Sequence, residues 1–271
     1  MSDFEIPVLK TLKLEVAGNG IFMLKINRPS RMNSMTVKMF EEFNAVAFAL
    51  RDSSAQALII TGEGDRAFSA GFDLDEIEVI TEMGVREFLK FQELATGGLA
   101  ALRLLPFPVI AAVNGAASGG GLSLALAADI RIASKTAKFN AAFVRVGLSA
   151  GELGTSWQLT RLVGPGRAAE IAFTARTIGA DEALAIGLVN RVVDQGLLIE
   201  ESLAFVAQIA LNSPGAVRMS KRALQANMEV GSLAAALELE NRGQALLTRG
   251  PDMSEALAAF RDRRVPKFTD A

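Results

Sequence analysis

Residues Val109–Ala128 read VIAAVNGAASGGGLSLALAA, and the interpretation of this stretch decides how the chain is built. Val109 to Val113 is a short apolar run of the length of a buried strand. Asn114-Gly115 is a turn signal, and the Gly119-Gly120-Gly121 triplet opens a short helix expected over Leu122 to Ala128. The uncharged run from Leu104 to Ala128 is long enough to cross a bilayer, and the mean hydropathy of +0.30 is high. Pro106, Pro108, Asn114-Gly115 and the glycines break that run into strand, turn and helix start, so no membrane span is expected.

Four readings of the glycine segment compete. A phosphate-binding loop would need G-x-x-x-x-G-K-[ST] or a properly spaced G-x-G-x-x-G, and neither occurs. Ala116-Ala117-Ser118-Gly119-Gly120 imitates a nucleophile elbow, but the chain has no His to complete a triad and no S-x-x-K to offer a lysine base. A third reading uses the backbone. Glycines at a helix N-terminus leave N–H groups unshielded, with the positive end of the helix dipole behind them, and such donors stabilise a developing oxyanion. The fourth is that small residues let helix and strand pack closely.

Composition narrows the chemistry further. The 271 residues contain no Cys, His or Tyr. Thiolate nucleophiles, disulfides, Cys-zinc and iron–sulfur sites and imidazole bases are all excluded, and no metal site is expected. Acid–base work near neutral pH must come from carboxylates, Lys or held water. A net charge of −2, from 28 basic and 30 acidic residues, argues against nucleic acid. The N-terminus, with Asp3 and Glu5, lacks the basic and apolar regions of a signal peptide, so a cytoplasmic location is expected.

Outward from the glycine segment, the chain alternates. Leu12 to Val16 and Ile21 to Asn27 read as a hairpin joined at Ala17-Gly18-Asn19-Gly20. A helix is expected over about Thr36 to Asp52, with Phe40, Phe43, Ala47 and Leu50 on its buried face. Ala57 to Thr61 is a strand, about Val85 to Leu105 a helix and Asp129 to Ala133 another strand. From Thr155 the chain is mostly helical, with breaks at Ser213-Pro214-Gly215 and Gly250-Pro251. Strands alternating with helices at this spacing indicate an α/β fold with parallel pairing, and the recurring strand–turn–helix units allow a coiled stack. A second loop of the same kind, Ala70-Gly71-Phe72-Asp73, follows a strand and precedes a helical run. Two such loops facing one another would make a two-donor oxyanion hole.

At this point the sequence resembles a known family. FSAGFDL at Phe68–Leu74 and the segment Val109–Gly121 resemble the paired signature of the crotonase (enoyl-CoA hydratase/isomerase) superfamily. Asn27-Arg28-Pro29, Ala128-Asp129-Ile130-Arg131, Leu162-Val163-Gly164, Ala185 to Val189 and Arg263 to Phe268 fit it too, so the resemblance covers essentially the whole chain. It implies a spiral of ββα units over residues 1–200 that binds acyl-CoA. Residues 201–271 would form a helical region used in trimerisation and active-site closure. The implied partners are an acyl-CoA substrate and further copies of the chain, as a homotrimer or hexamer. Coenzyme A would enter as part of the substrate and not as a separate cofactor, in the setting of fatty-acid metabolism.

The resemblance also distributes roles. The backbone N–H groups of Phe72 and Gly120 would hold the thioester oxygen as an enolate forms. Contacts to coenzyme A and the acyl chain would fall at Met32, Ser34, Ala70, Gly71, Asp73, Leu74, Ala116 and Gly119. Two departures stand out. Where hydratases of the family carry two glutamates, this chain has Ser123 and Phe143, which cannot do the same acid–base work. These two positions are instead expected to line the substrate site.

Glu152, in the glycine-rich loop Gly147–Gly154, matches an acidic residue that several relatives use. It is the expected catalytic carboxylate. A solvated loop Glu is the plainer alternative. Asp73 and Asp75 are also readable as supports for a helix start, and Asp129 as structural. The implied activity is double-bond isomerisation or atypical hydration of an acyl-CoA thioester. Thioester or ring hydrolysis and a non-catalytic acyl-CoA-binding role are the alternatives.

Overall fold

The computed structural model describes residues 7–269. Asp3 and Glu5, read above for a leader, lie outside the described residues. Strands β1 (Leu12–Gly18) and β2 (Ile21–Ile26) form the expected antiparallel hairpin. Helix α1 (Val37–Arg51) follows, its first turn capped by Thr36, whose hydroxyl accepts from Met39 N. Next come β3 (Ala57–Gly62), β4 (Ala67–Ser69), the short α2 (Ile77–Glu82) and the long α3 (Val85–Arg103). The decisive stretch resolves into β5 (Val109–Val113), β6 (Ala116–Ser118) and α4 (Gly120–Ala127). Strands β7 (Ile130–Ser134) and β8 (Lys138–Asn140) precede α5 (Thr155–Val163) and α6 (Pro165–Thr174). After these run β9 (Ile178–Gly179), α7 (Ala180–Ala185), β10 (Arg191–Val193) and α8 (Leu198–Ala210). The chain closes with α9 (Pro214–Asn227), α10 (Leu233–Leu247) and α11 (Pro251–Asp262).

The strands sort into two sheets. The larger has the order β1-β2-β3-β5-β7-β10, parallel except for the opening hairpin. The smaller has the order β4-β6-β8-β9, with β8 and β9 antiparallel. Consecutive strands alternate between them: β3 then β4, β5 then β6, β7 then β8. Each turn of the chain therefore adds one strand to each sheet, which makes the structure a coil of repeated units. Strands β3 and β5 are buried along their whole length, which matches their unbroken apolar sequence. Asn114 closes one turn of the coil: its amide donates to Gly62 O and Gly64 O at 3.0 and 2.8 Å and its carbonyl accepts from Gly62 N at 3.0 Å.

Three expectations need correction. The segment read as loop between Asn114 and the glycines contains the strand β6. Helix α4 begins at Gly120 rather than Leu122, because the glycines themselves form its first turn. The C-terminal helical stretch has a third break, between Asn227 and Leu233, giving separate helices α9 and α10.

The described residues fall into two compact units. One runs to Leu105 and from Val109 to Ser202; the other comprises Pro106–Pro108 and the chain from Leu203 on, so the boundary lies within α8. Inside the smaller unit, the buried Lys221 donates to Phe107 O at 2.8 Å. Among the described residues no helix is long and apolar enough to cross a membrane.

Candidate active site

The first glycine loop is set by backbone geometry. Gly71 has φ +94, a region that residues with a Cβ rarely adopt. Met35 N donates to Gly71 O at 2.7 Å and Asp73 N donates to Met35 O at 2.8 Å. The neighbouring Gly71 N–H is taken by Ser69 Oγ at 3.2 Å. Phe72 sits between these bonds with its own N–H committed to none of them.

The second loop approaches closely. A Cβ on Gly71 would lie 2.8 Å from Ser118 O and 3.4 Å from Gly120 N. At Gly121 a Cβ would lie 2.1 Å from Ser69 O, so the third glycine is required by the contact between α4 and β4. Gly119 N donates to Asn140 O at 3.0 Å. Gly120 is the first residue of α4, where the N–H has no intrahelical acceptor. Close packing therefore accounts for Gly121, while Gly120 presents an N–H that the helix itself does not use.

These loops border a cavity of about 250 Å³. Ala70, Gly71, Phe72, Gly119 and Gly120 form one wall; Phe143, Leu148, Glu152 and Leu153 contribute from the segment before α5. Leu74, 66% exposed, also borders it. Among the described residues lining the cavity, Glu152 is the sole carboxylate. It is half-buried, and burial pushes its carboxyl above the usual range, partly offset by a hydrogen bond from the Gln92 side chain. Phe143 is buried, and its ring lies 3.8 Å from where a Gly119 Cβ would stand.

Five of the expected binding residues do not border this cavity. Ser123 is 1% exposed and turned away: its hydroxyl lies 3.2 Å from Gly119 O, to which it donates, and 2.6 Å from Thr155 Oγ1. The i+3 spacing from Gly120 holds on the helix, but this hydroxyl pair uses the side chain structurally. Asp73 accepts from Arg28 at 2.7 Å, Arg31 at 3.0 Å and Ser34 at 2.9 Å, and from Asp75 N. Desolvation opposes its charge, and these hydrogen bonds together outweigh it, holding its carboxyl well below the usual range. Ser34 is spent in the same network, while Met32 caps a short 3-10 turn and Ala116 sits in β6. Asp129 accepts from Val109 N at 2.8 Å, as its structural reading requires.

Of the aromatic side of the cavity, the sequence singles out Phe72 and Phe143 as site residues but not Phe40, Phe88 or Phe91. Phe40, Phe88 and Phe91 join Phe72 there, with Gln92, Ile77 and Ile80 beside them. Phe88, Phe91, Gln92 and Ala95 fall at i, i+3, i+4 and i+7 on α3, a periodicity that marks a shared face without saying that it borders a cavity.

A family model described as Enoyl-CoA hydratase/isomerase matches residues 16–271. The short-chain-enoyl-CoA hydratase of Clostridium acetobutylicum is 40% identical over 258 residues, covering 94% of this chain and 96% of that protein. The crotonyl-CoA hydratase of Syntrophomonas wolfei is 38% identical over 247 residues, covering 91% and 93%. Among solved structures, the enoyl-CoA hydratase from Bacillus anthracis superposes with a TM-score of 0.91 at 32% identity, covering 97% of this chain and all of that one.

Proposed function

The chain belongs to the enoyl-CoA hydratase/isomerase family and has the crotonase fold, and from that premise we propose that it moves a double bond in an acyl-CoA thioester by way of an enolate. The thioester oxygen sits between the N–H groups of Phe72 and Gly120. Charge developing on that oxygen is stabilised by two fixed donors and by the positive end of α4, which acidifies the α-carbon. The Glu152 carboxylate takes a proton from C2 of a 3-enoyl thioester, leaving a dienolate, and returns it to C4 to give the 2-enoyl product. One base does both steps, and no atom is gained or lost.

The observation that carries this reading is the single carboxylate among the described residues that line a cavity bordered by both glycine loops. Two-glutamate hydration would need acids at positions 123 and 143, where Ser and Phe stand. A second reading, hydration through one water held by Glu152, is favoured by the hydratase names of the relatives. Coenzyme A enters as part of the substrate. Assembly as a trimer or a dimer of trimers is part of the proposal, supported by apolar side chains left exposed in the helical region, such as Leu233, Leu246 and Phe260.

Incubating the protein with 2-enoyl-, 3-enoyl- and dienoyl-CoA thioesters and analysing products by chromatography and mass spectrometry tests this. A 2-enoyl product of unchanged mass is expected from the 3-enoyl thioester. Gain of one water selects the hydration reading, release of free coenzyme A selects hydrolysis, and binding with no product reduces the protein to an acyl-CoA carrier.

A further inference from the structure

Four phenylalanines border the cavity as one connected group. Phe40 and Phe72 lie nearly parallel, at 12° with ring centroids 6.3 Å apart. Phe91 stands at 71° to Phe40 and 61° to Phe72, with centroids at 5.9 and 5.7 Å. Phe88 is tilted at 42° to Phe91 at 6.2 Å, and Phe143 borders the same cavity from the segment before α5. The rings differ in cover. Phe40 and Phe91 are buried, whereas Phe72 and Phe88 are half-buried and retain uncovered surface. The protein core alone does not complete the packing of these two rings.

We propose that this cavity selects acyl chains ending in a planar aromatic ring, and that Phe88 and Phe91 set the preference. The proposal rests on the acyl-CoA reading above and names its substrate class. Aromatic pairs favour tilted, edge-to-face and offset arrangements at centroid separations of about 4.5–7 Å, the spacing these rings already adopt among themselves. An added ring can extend that pattern. Each such pair contributes roughly a factor of two to ten in affinity beyond simple area burial. A flexible alkyl chain gains only the burial and loses rotational freedom at each torsion that the cavity freezes.

Volume agrees. A dry apolar cavity of about 150 Å³ holds one benzene ring. The 250 Å³ present here takes such a ring and leaves further space between it and the two N–H donors.

Saturated thioesters separate this inference from the reaction. Binding of 4-phenylbutanoyl-CoA and decanoyl-CoA, which have equal carbon counts, is measured by titration calorimetry on the full chain. The aryl thioester should bind about tenfold tighter. Phe88→Leu should bring the two affinities within about threefold of one another, and Phe88→Met serves the same purpose if the first variant does not fold. Phe91→Leu should act in the same direction. If both ligands bind with equal strength, or decanoyl-CoA binds tighter, the aromatic preference is overturned while the acyl-CoA reading stands. A preference that survives substitution at both positions overturns the roles given to Phe88 and Phe91. If neither thioester binds, the acyl-CoA reading falls and the inference goes with it.

Discussion

Ser123 Oγ lies 2.6 Å from Thr155 Oγ1, both side chains fully enclosed, and this bond ties the first turn of α4 to the first residue of α5. Thr155 N in turn donates to Glu152 O at 2.8 Å. Ser123 also donates to Gly119 O at 3.2 Å, which makes Thr155 the donor between the two hydroxyls. A short chain of hydrogen bonds therefore connects the loop that carries the Gly120 N–H to the loop that carries the Glu152 carboxylate. At position 123, where the family resemblance leads one to look for a glutamate, this protein has a brace.

Thr155→Val removes the brace and keeps the side-chain shape. It should lower kcat about tenfold with KM changed less than twofold, because a small misplacement of Glu152 affects the chemical step more than binding. Ser123 keeps its bond to Gly119 O, so losing the one buried hydrogen bond should also cost about 0.5–1.5 kcal/mol of stability by denaturant titration. Thr155→Ser restores the hydroxyl and should restore kcat. Equal kcat in Thr155→Val would show that the brace does not position the carboxylate.

Glu152→Gln should reduce turnover by at least about 10³-fold while acyl-CoA binding persists, since the amide fills the same space but cannot take a proton. Burial raises the Glu152 carboxyl above its ordinary value of 4.5, so the base form appears only at higher pH. The acid limb of the kcat profile should accordingly lie above pH 4.5. The sign for stability follows from the same shift. The folded state holds this proton more tightly than the unfolded chain, so stability is lost as the pH rises above 4.5 and through the raised folded value. Glu152→Gln should then be slightly more heat-stable than the parent at pH 8, which a thermal melt can read.

The two residues of the first glycine loop should behave oppositely. Gly71→Ala places a Cβ 2.8 Å from Ser118 O at φ +94, so the loops must separate. Displacing one oxyanion donor costs about 10²–10³ in kcat, with a further ~1–3 kcal/mol of strain. Phe72→Ala keeps the backbone N–H. It should retain kcat within about tenfold on a short unbranched substrate, while losing roughly 1–3 kcal/mol of stability with the contacts to Phe40 and Phe91. If Phe72→Ala were as inactive as Gly71→Ala, the donor at position 72 would not be a backbone group.

What could be read from the sequence depended on whether the determinant was local. Strand β5 shows in five consecutive apolar residues, the turn in Asn114-Gly115 and α1 in the spacing of Phe40, Phe43, Ala47 and Leu50, because each depends on neighbours in the chain. The two glycine loops were legible because a backbone donor needs small residues at one place. The Ser123–Thr155 bond was not, since the partners are 32 residues apart and nothing in either segment announces the other. The same holds for the aromatic wall, where Phe40 and Phe72 come from different elements and meet only after folding. The network of Ser34 and Asp73 with Arg28 and Arg31 was hidden for a related reason. A polar residue beside a binding loop has the same sequence appearance whether it faces a ligand or an arginine.

That arginine contact gives the last prediction. Asp73 is buried, with a side chain 4% exposed, and is held by Arg28, Arg31, Ser34 and the Asp75 N–H. Arg31 also pairs with the exposed Asp75. The network joins the Arg28-Pro29 turn to the residue immediately after Phe72, so it fixes the far side of the first glycine loop. Because the folded carboxyl titrates below its unfolded counterpart, its contribution is fully present above about pH 4 and is lost as the pH falls through the folded value. Asp73→Asn should cost about 2 kcal/mol at pH 7, a figure set by charged hydrogen bonds to a buried acceptor. The difference between parent and variant should shrink steadily as the pH is lowered below 4. Denaturant melts of both proteins between pH 3 and pH 7 measure this, and a gap that stays constant across the range would mean that the Asp73 charge does not stabilise the loop.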